Sequence, residues 1–150
     1  MRDKFSDWAK WSNRNELQSI QLPGVYAIAL SHKDISGNTF SWRREIIYVG
    51  MTNAKGGLKS RLQQFDNTIK GGDVHGGAQR VRYKYPNYMK LIPSLYISIC
   101  PRACNVLSNN PKDLRIMGEI VKQEFDCLAQ FVETFSRLPE FNDKKRSPKK

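Results

Sequence analysis

The sequence predicts an α+β domain in which a small, mainly antiparallel three-stranded sheet is flanked by helices. Three observations carry that expectation. Residues 25–30, 45–50 and 94–100 are short apolar runs with the branched, alternating side chains of strands. Leu58, Leu62, Phe65 and Ile69 recur at helical spacing, as do the apolar residues between Leu114 and Phe135. Glycine, proline and asparagine clusters punctuate the chain between these segments.

Length and charge bound the rest. A chain of 150 residues suffices for one core, and one domain over residues 1–142 is expected, with a basic tail at 143–150. The net charge is +11, and removing the +4 of the tail still leaves +7 on the body, so a polyanionic partner is expected. The tail itself reads as disordered. No stretch reaches the ~20 consecutive apolar residues of a membrane span, and the charged, aromatic N-terminus does not read as a leader, which points to an intracellular, cytoplasmic protein. Cys100, Cys104 and Cys127 are an odd number with no CxxC pair, so they read as thiols of a reducing compartment rather than as disulfides or zinc ligands.

Along the chain, Trp8, Trp11, Leu17 and Ile20 predict a short amphipathic helix or two as an N-terminal extension over residues 1–22. Pro23-Gly24 opens the first strand, and the polar loop after Leu30, with Gly37-Asn38, leads to the second, most simply as an antiparallel hairpin. The helix that follows Gly56-Gly57 carries Lys59 and Arg61 on its polar side and ends at Gly71-Gly72. For the segment after His75-Gly76-Gly77, in which Arg80, Arg82 and Lys84 alternate with Val81, Tyr83 and Tyr85, helix and strand are both open. Asn110-Pro111 reads as the cap and first residue of the longest helix.

That last helix carries an acid on its apolar face. Advancing about 100° per residue with Met117 at zero, Leu128 falls at about 20°, Val121 at about 40° and Glu124 at about 340°. A carboxylate there needs a cation, strong donors or a metal, whereas Glu119 and Glu133 fall on the solvated side. A structural ion pair with Arg61 or Arg80 is the plain alternative.

Gly24-Val25-Tyr26 and Tyr48-Val49-Gly50, followed by the segment 48–65 ending in Arg61-Leu62-Gln63-Gln64-Phe65, resemble the two signatures and the arginine-bearing helix of the GIY-YIG endonucleases, over roughly residues 23 to 142. The resemblance implies a metal-dependent DNA endonuclease with Tyr26, Tyr48, Arg61 and Glu124 as catalytic residues. Glu124 would be the ligand of a Mg²⁺ or Mn²⁺ ion, with Glu119 the less suitable alternative. Tyr26 is the first choice for the base and Tyr48 for its partner, in roles that are interchangeable, and the products would be a 5′-phosphate and a 3′-hydroxyl. Asn142 resembles the asparagine that closes the family domain. Many members place His or Tyr four residues after the arginine; Phe65 stands there, and His75 is the candidate to replace it or to bind a phosphate.

The chemistry suits those residue types. A hard divalent ion keeps several waters and is often held by one or two carboxylates, and a guanidinium donates charge-assisted hydrogen bonds to a nonbridging oxygen. A tyrosine serves as base only with its pKa lowered from about 10, which Lys55, Lys59 or the metal would favour. Lys55, Lys59, His75, Arg80, Arg82, Lys84 and Asn142 are the candidate nucleic-acid contacts. With about five phosphate contacts, binding to duplex DNA would fall with salt at a log–log slope of roughly −4 to −5. The partner expected is DNA, duplex or branched, with a homodimer or a separate specificity partner supplying recognition. The alternatives are a nucleic-acid-binding module that has lost catalysis, motivated by Phe65, and a peripheral membrane or protein-interaction domain.

Overall fold

The computed structural model describes residues 4–149. The fold is α+β, as expected, but its open antiparallel sheet has four strands rather than three. Strands β1 (Ala9–Lys10), β2 (Gly24–Leu30), β3 (Ile46–Thr52) and β4 (Leu95–Pro101) lie in the order β1-β4-β2-β3. Helices α1 (Gly57–Lys70), α2 (Gly76–Lys84) and the single turn α3 (Tyr88–Leu91) separate β3 from β4, and α4 (Pro111–Phe135) follows. Among the described residues no helix is long and apolar enough to cross a membrane.

The extra strand corrects the N-terminal expectation. Trp8 and Trp11 would share one face of a helix, yet each is buried in a different core, Trp8 on the α4 side of the sheet and Trp11 on the α1 side. The segment passes between the two by pairing as β1 with β4, Ala9 opposite Ile97, and then turning through a 3₁₀ helix at Trp11–Glu16. A helix could not bury both indoles. The segment 76–84, open between helix and strand from its alternation, is helical. Residues 143–149, disordered on charge alone, form a turn in which Ser147 Oγ donates to the Asp143 carbonyl and Ser147 is buried.

Two cores sandwich the sheet. Tyr26, Ile28, Ile97 and Ile99 face α1 and α2, while Val25, Ala27, Ala29 and Val49 face α4 and the aromatic loop that carries Phe40 and Trp42. Asn110 caps α4 as predicted, its side chain accepting from the Lys112 amide with Pro111 at the first position. The start of α1 is closed by the chain before β2: the amides of Leu58 and Lys59 donate to the carbonyls of Leu22 and Ile20. Gly57 makes this possible, because its φ is 66° and a Cβ would stand 2.0 Å from the Gln21 carbonyl oxygen. No disulfide joins the three cysteines.

Asp66, which the sequence did not single out, pins the N-terminal segment to α1. It is 2% exposed and accepts from Trp11 Nε1 at 2.8 Å and Tyr88 Oη at 2.9 Å, with Lys70 at 2.9 Å and Arg14 at 3.5 Å. Burial alone would raise its pKa, but these donors together hold it below the usual carboxylate range. Its contribution is therefore present above that range and lost as pH falls through the depressed folded value. Asp66→Ala is expected to cost about 3 kcal/mol in urea unfolding at neutral pH, because three donors lose a buried acceptor at once.

Candidate active site

The register of β2 and β3 builds the site. Tyr26 lies directly opposite Gly50, and Ile28 opposite Tyr48, so the two tyrosines are diagonal neighbours with ring centroids 6.1 Å apart. A bulge interrupts the pairing where Ala29 meets Ile46, leaving Ile47 as the extra residue. Simple alternation from Ile46, which faces α4, would send Tyr48 to α4 as well. The bulge instead turns Tyr48 onto the face of Tyr26.

Glycines make the room. A Cβ on Gly50 would stand 2.5 Å from Tyr26 Oη, and one on Gly77 2.5 Å from a Tyr48 ring carbon. Gly50→Ala is accordingly expected to displace the Tyr26 ring and to cost about 2 kcal/mol, read as a lower urea midpoint at unchanged slope.

His75 holds Tyr26 from below. It is fully buried, caps α2 with Nδ1 accepting the Ala78 amide at 3.2 Å, and sits 2.8 Å from Tyr26 Oη through Nε2. Since Nδ1 is an acceptor, the ring proton is on Nε2 and is donated to Tyr26. Burial and the nearby Arg61 push the imidazole pKa down to about 3, which keeps it neutral. Phe65 packs edge-on against His75 with centroids 4.9 Å apart, so an imidazole from α2 stands beside the phenyl ring that cannot hydrogen-bond.

Arg61 and Glu124 complete the cluster. Arg61 donates to Gln64 at 2.9 Å and makes no ion pair among the described residues, yet it acts on Tyr26, Tyr48, His75 and Glu124. Together with Thr52, Asn53 and Ser60 it lines a groove of about 410 Å³ at the end of β3. Helix α4 packs along edge strand β3, and the half-buried Glu124 raises the pKa of both tyrosines through its charge. Burial pushes Glu124's own pKa up, with only Arg61 opposing, and no hydrogen bond or ion pair engages it among the described residues. The four catalytic candidates thus influence one another electrostatically, Glu124 from α4, Arg61 from α1 and the two tyrosines from the sheet between them.

One expectation about them is reversed. Cations were to lower the pKa of the base, but burial raises Tyr26, reinforced by Tyr48 and only partly opposed by Arg61; Tyr48 is raised by burial and by Glu124. Both are neutral phenols at pH 7.

Of the residues expected to contact nucleic acid, Lys55 and Lys59 are exposed beside the groove. Arg80 acts on Tyr48 and has a buried Nε with no hydrogen-bond partner among the described residues. The other four are engaged internally. His75 has both ring nitrogens occupied, and Arg82 donates to the Thr68 and Gly72 carbonyls at the end of α1. Lys84 pairs with Glu140 at 2.5 Å, and the Asn142 amide both donates to and accepts from the Val49 backbone at the free edge of β3. In a helix, Arg80, Arg82 and Lys84 do not share one face as they would in a strand, which is why the alternating pattern misled.

Comparison of the chain with protein families, curated proteins and solved structures finds no match. The functional reading therefore rests on the geometry. Among the described residues no three His, Cys, Asp or Glu side chains form a metal cage, leaving Glu124 as a single carboxylate. Glu119, the alternative acid, is occupied by Arg102 at 2.6 Å.

Proposed function

We propose that the chain is a divalent-metal-dependent DNA endonuclease, an intracellular enzyme of the GIY-YIG kind. The observation that carries this reading is that a desolvated carboxylate of α4 and a guanidinium of α1, neither with an ion-pair partner among the described residues, both act on the two phenols of β2 and β3. A half-buried acid without a compensating partner fits a cation, and a single carboxylate with several waters is a common way to hold Mg²⁺ or Mn²⁺. That ion, when bound, neutralises charge on the phosphate and the departing oxygen.

The protein's own residues supply the rest. Arg61 binds a nonbridging oxygen, since the first amides of α1 are already taken by the carbonyls of Ile20 and Leu22. A water oxygen attacks phosphorus as the bond to the 3′ oxygen breaks; the water proton passes to Tyr26 in its phenolate form, and the leaving 3′ oxygen takes up a proton from a solvent water, whose hydroxide is neutralised as Tyr26 returns its proton to solvent. The phenolate is stabilised by the Nε2–H of His75 and by Arg61. Tyr48 flanks it. Lys55, Lys59 and Arg80 guide the DNA backbone, fewer contacts than the composition implied, so the salt slope falls to roughly −3.

The neutral state of both phenols favours one rival, a DNA-binding module of the same fold without catalysis. Incubating supercoiled plasmid with the protein and Mg²⁺ or Mn²⁺, with and without EDTA, decides between them. The nuclease nicks only with metal. Salt-sensitive binding without nicking establishes the rival instead.

A further inference from the structure

The described residues expose eight large apolar side chains, and four of them, Leu114, Val121, Phe125 and Val132, belong to α4. At about 100° per residue they fall within about 40° of one another, forming a straight apolar strip beside the half that packs on the sheet. Phe125 is 64% exposed and Leu114 50%. Gly118 lies in the same strip, in mid-helix, where glycine is unfavourable and a Cβ would meet nothing within 4 Å. No contact among the described residues accounts for that glycine.

We infer that this strip is a self-association surface, on which α4 of a second copy packs antiparallel. The strip is its own complement. Centred on Gln123, an antiparallel partner sets Leu114 against Val132, Val121 against Phe125, and Gly118 against the half-buried Leu128, and the two-fold repeats each pair. Every layer joins a larger side chain to a smaller one, with the notch at Gly118 receiving Leu128. A parallel partner would instead face glycine with glycine and Phe125 with Phe125, leaving a void beside a crowded layer. The positions from 114 to 132 that face the partner, 114, 118, 121, 125, 128 and 132, carry no charge. Contact along the roughly 27 Å from Leu114 to Val132 buries on the order of 1,200 Å², the low end of specific interfaces, in keeping with a reversible dimer. The inference stands apart from the proposed chemistry.

Sedimentation equilibrium of the whole chain from micromolar to millimolar concentration tests it, with Gly118→Leu and Phe125→Glu beside the wild type. The wild type is expected to show a reversible dimer, and both variants to remain monomeric. Gly118→Leu keeps or raises the melting temperature, because its side chain enters open space on a single chain. In a Cys104→Ser background, Leu114→Cys combined with Val132→Cys is expected to form a covalent dimer on oxidation, while neither alone does. Intramolecular closure is impossible across about 27 Å of helix. A wild type that stays monomeric to millimolar concentration, a dimer indifferent to Gly118→Leu, or cross-linking by Leu114→Cys alone would each overturn the inference.

Discussion

Glu124→Gln is expected to lower metal-dependent plasmid nicking by about 10³-fold while making the protein more stable at neutral pH. The two effects have one cause. Glu124 is desolvated without a hydrogen-bonding or ion-pairing partner among the described residues, and its folded pKa lies above the unfolded value. The folded state then binds more protons than the unfolded one between those two values, so stability falls as pH rises through that interval and stays lower above it. An uncharged amide of the same shape removes the penalty. On the proposed metal-binding role of Glu124, Mg²⁺ should raise the melting temperature of the wild type but not of the variant. If nicking persists in the variant, the acid is misassigned; if Mg²⁺ stabilises both proteins equally, the metal binds elsewhere.

His75 is expected to govern acid stability and, on the proposed mechanism, the alkaline activity profile. Its pKa falls from 6.5 to about 3 on folding. Between those values the unfolded chain carries the extra proton, so stability rises with pH and is lost progressively as pH drops from 6.5 toward 3. In His75→Gln the His75 share of that slope should disappear from equilibrium unfolding measured across the same range, leaving the shares of Asp66 and Glu124, because the amide does not titrate. The amide N–H still reaches Tyr26, so nicking is largely kept. His75→Ala leaves the Tyr26 oxygen without its donor and removes a stabiliser of the phenolate, and nicking is expected to fall by about 10²-fold. Because burial raises Tyr26, the wild-type rate should climb with pH through the neutral and alkaline range. His75→Ala steepens the need for alkali; a flat profile in all three proteins would remove Tyr26 from the base role.

Much of this was legible in the chain. Strands β2, β3 and β4 and helices α1 and α4 follow from alternation, helical periodicity and the Asn110-Pro111 cap, all local signals written in neighbouring residues. The four candidate site residues were named from the family resemblance of two tripeptides and a basic helix, together with an acid on an apolar face. Even the acid's discomfort follows from helical spacing alone.

The remainder belongs to contacts between distant segments. Trp8 and Trp11 enter different cores only because β1 crosses the sheet, and Asp66 matters only because Trp11, Arg14 and Tyr88 reach it. Arg82, Lys84 and Asn142 have the residue types of phosphate ligands, and only the folded chain shows them bonded to carbonyls, a glutamate and a strand edge.

The sequence by itself determined the α+β class and the net basic charge, since these depend on composition and short-range periodicity, while the candidate site residues came from the resemblance of two tripeptides and the Arg61 segment. The tertiary structure alone decided that Tyr48 faces Tyr26, through one extra residue in β3, and that His75 supports them, from a helix cap 49 residues away. A bulge reverses every side chain beyond it, and burial sets whether a phenol is charged; neither is encoded in any local run of residues.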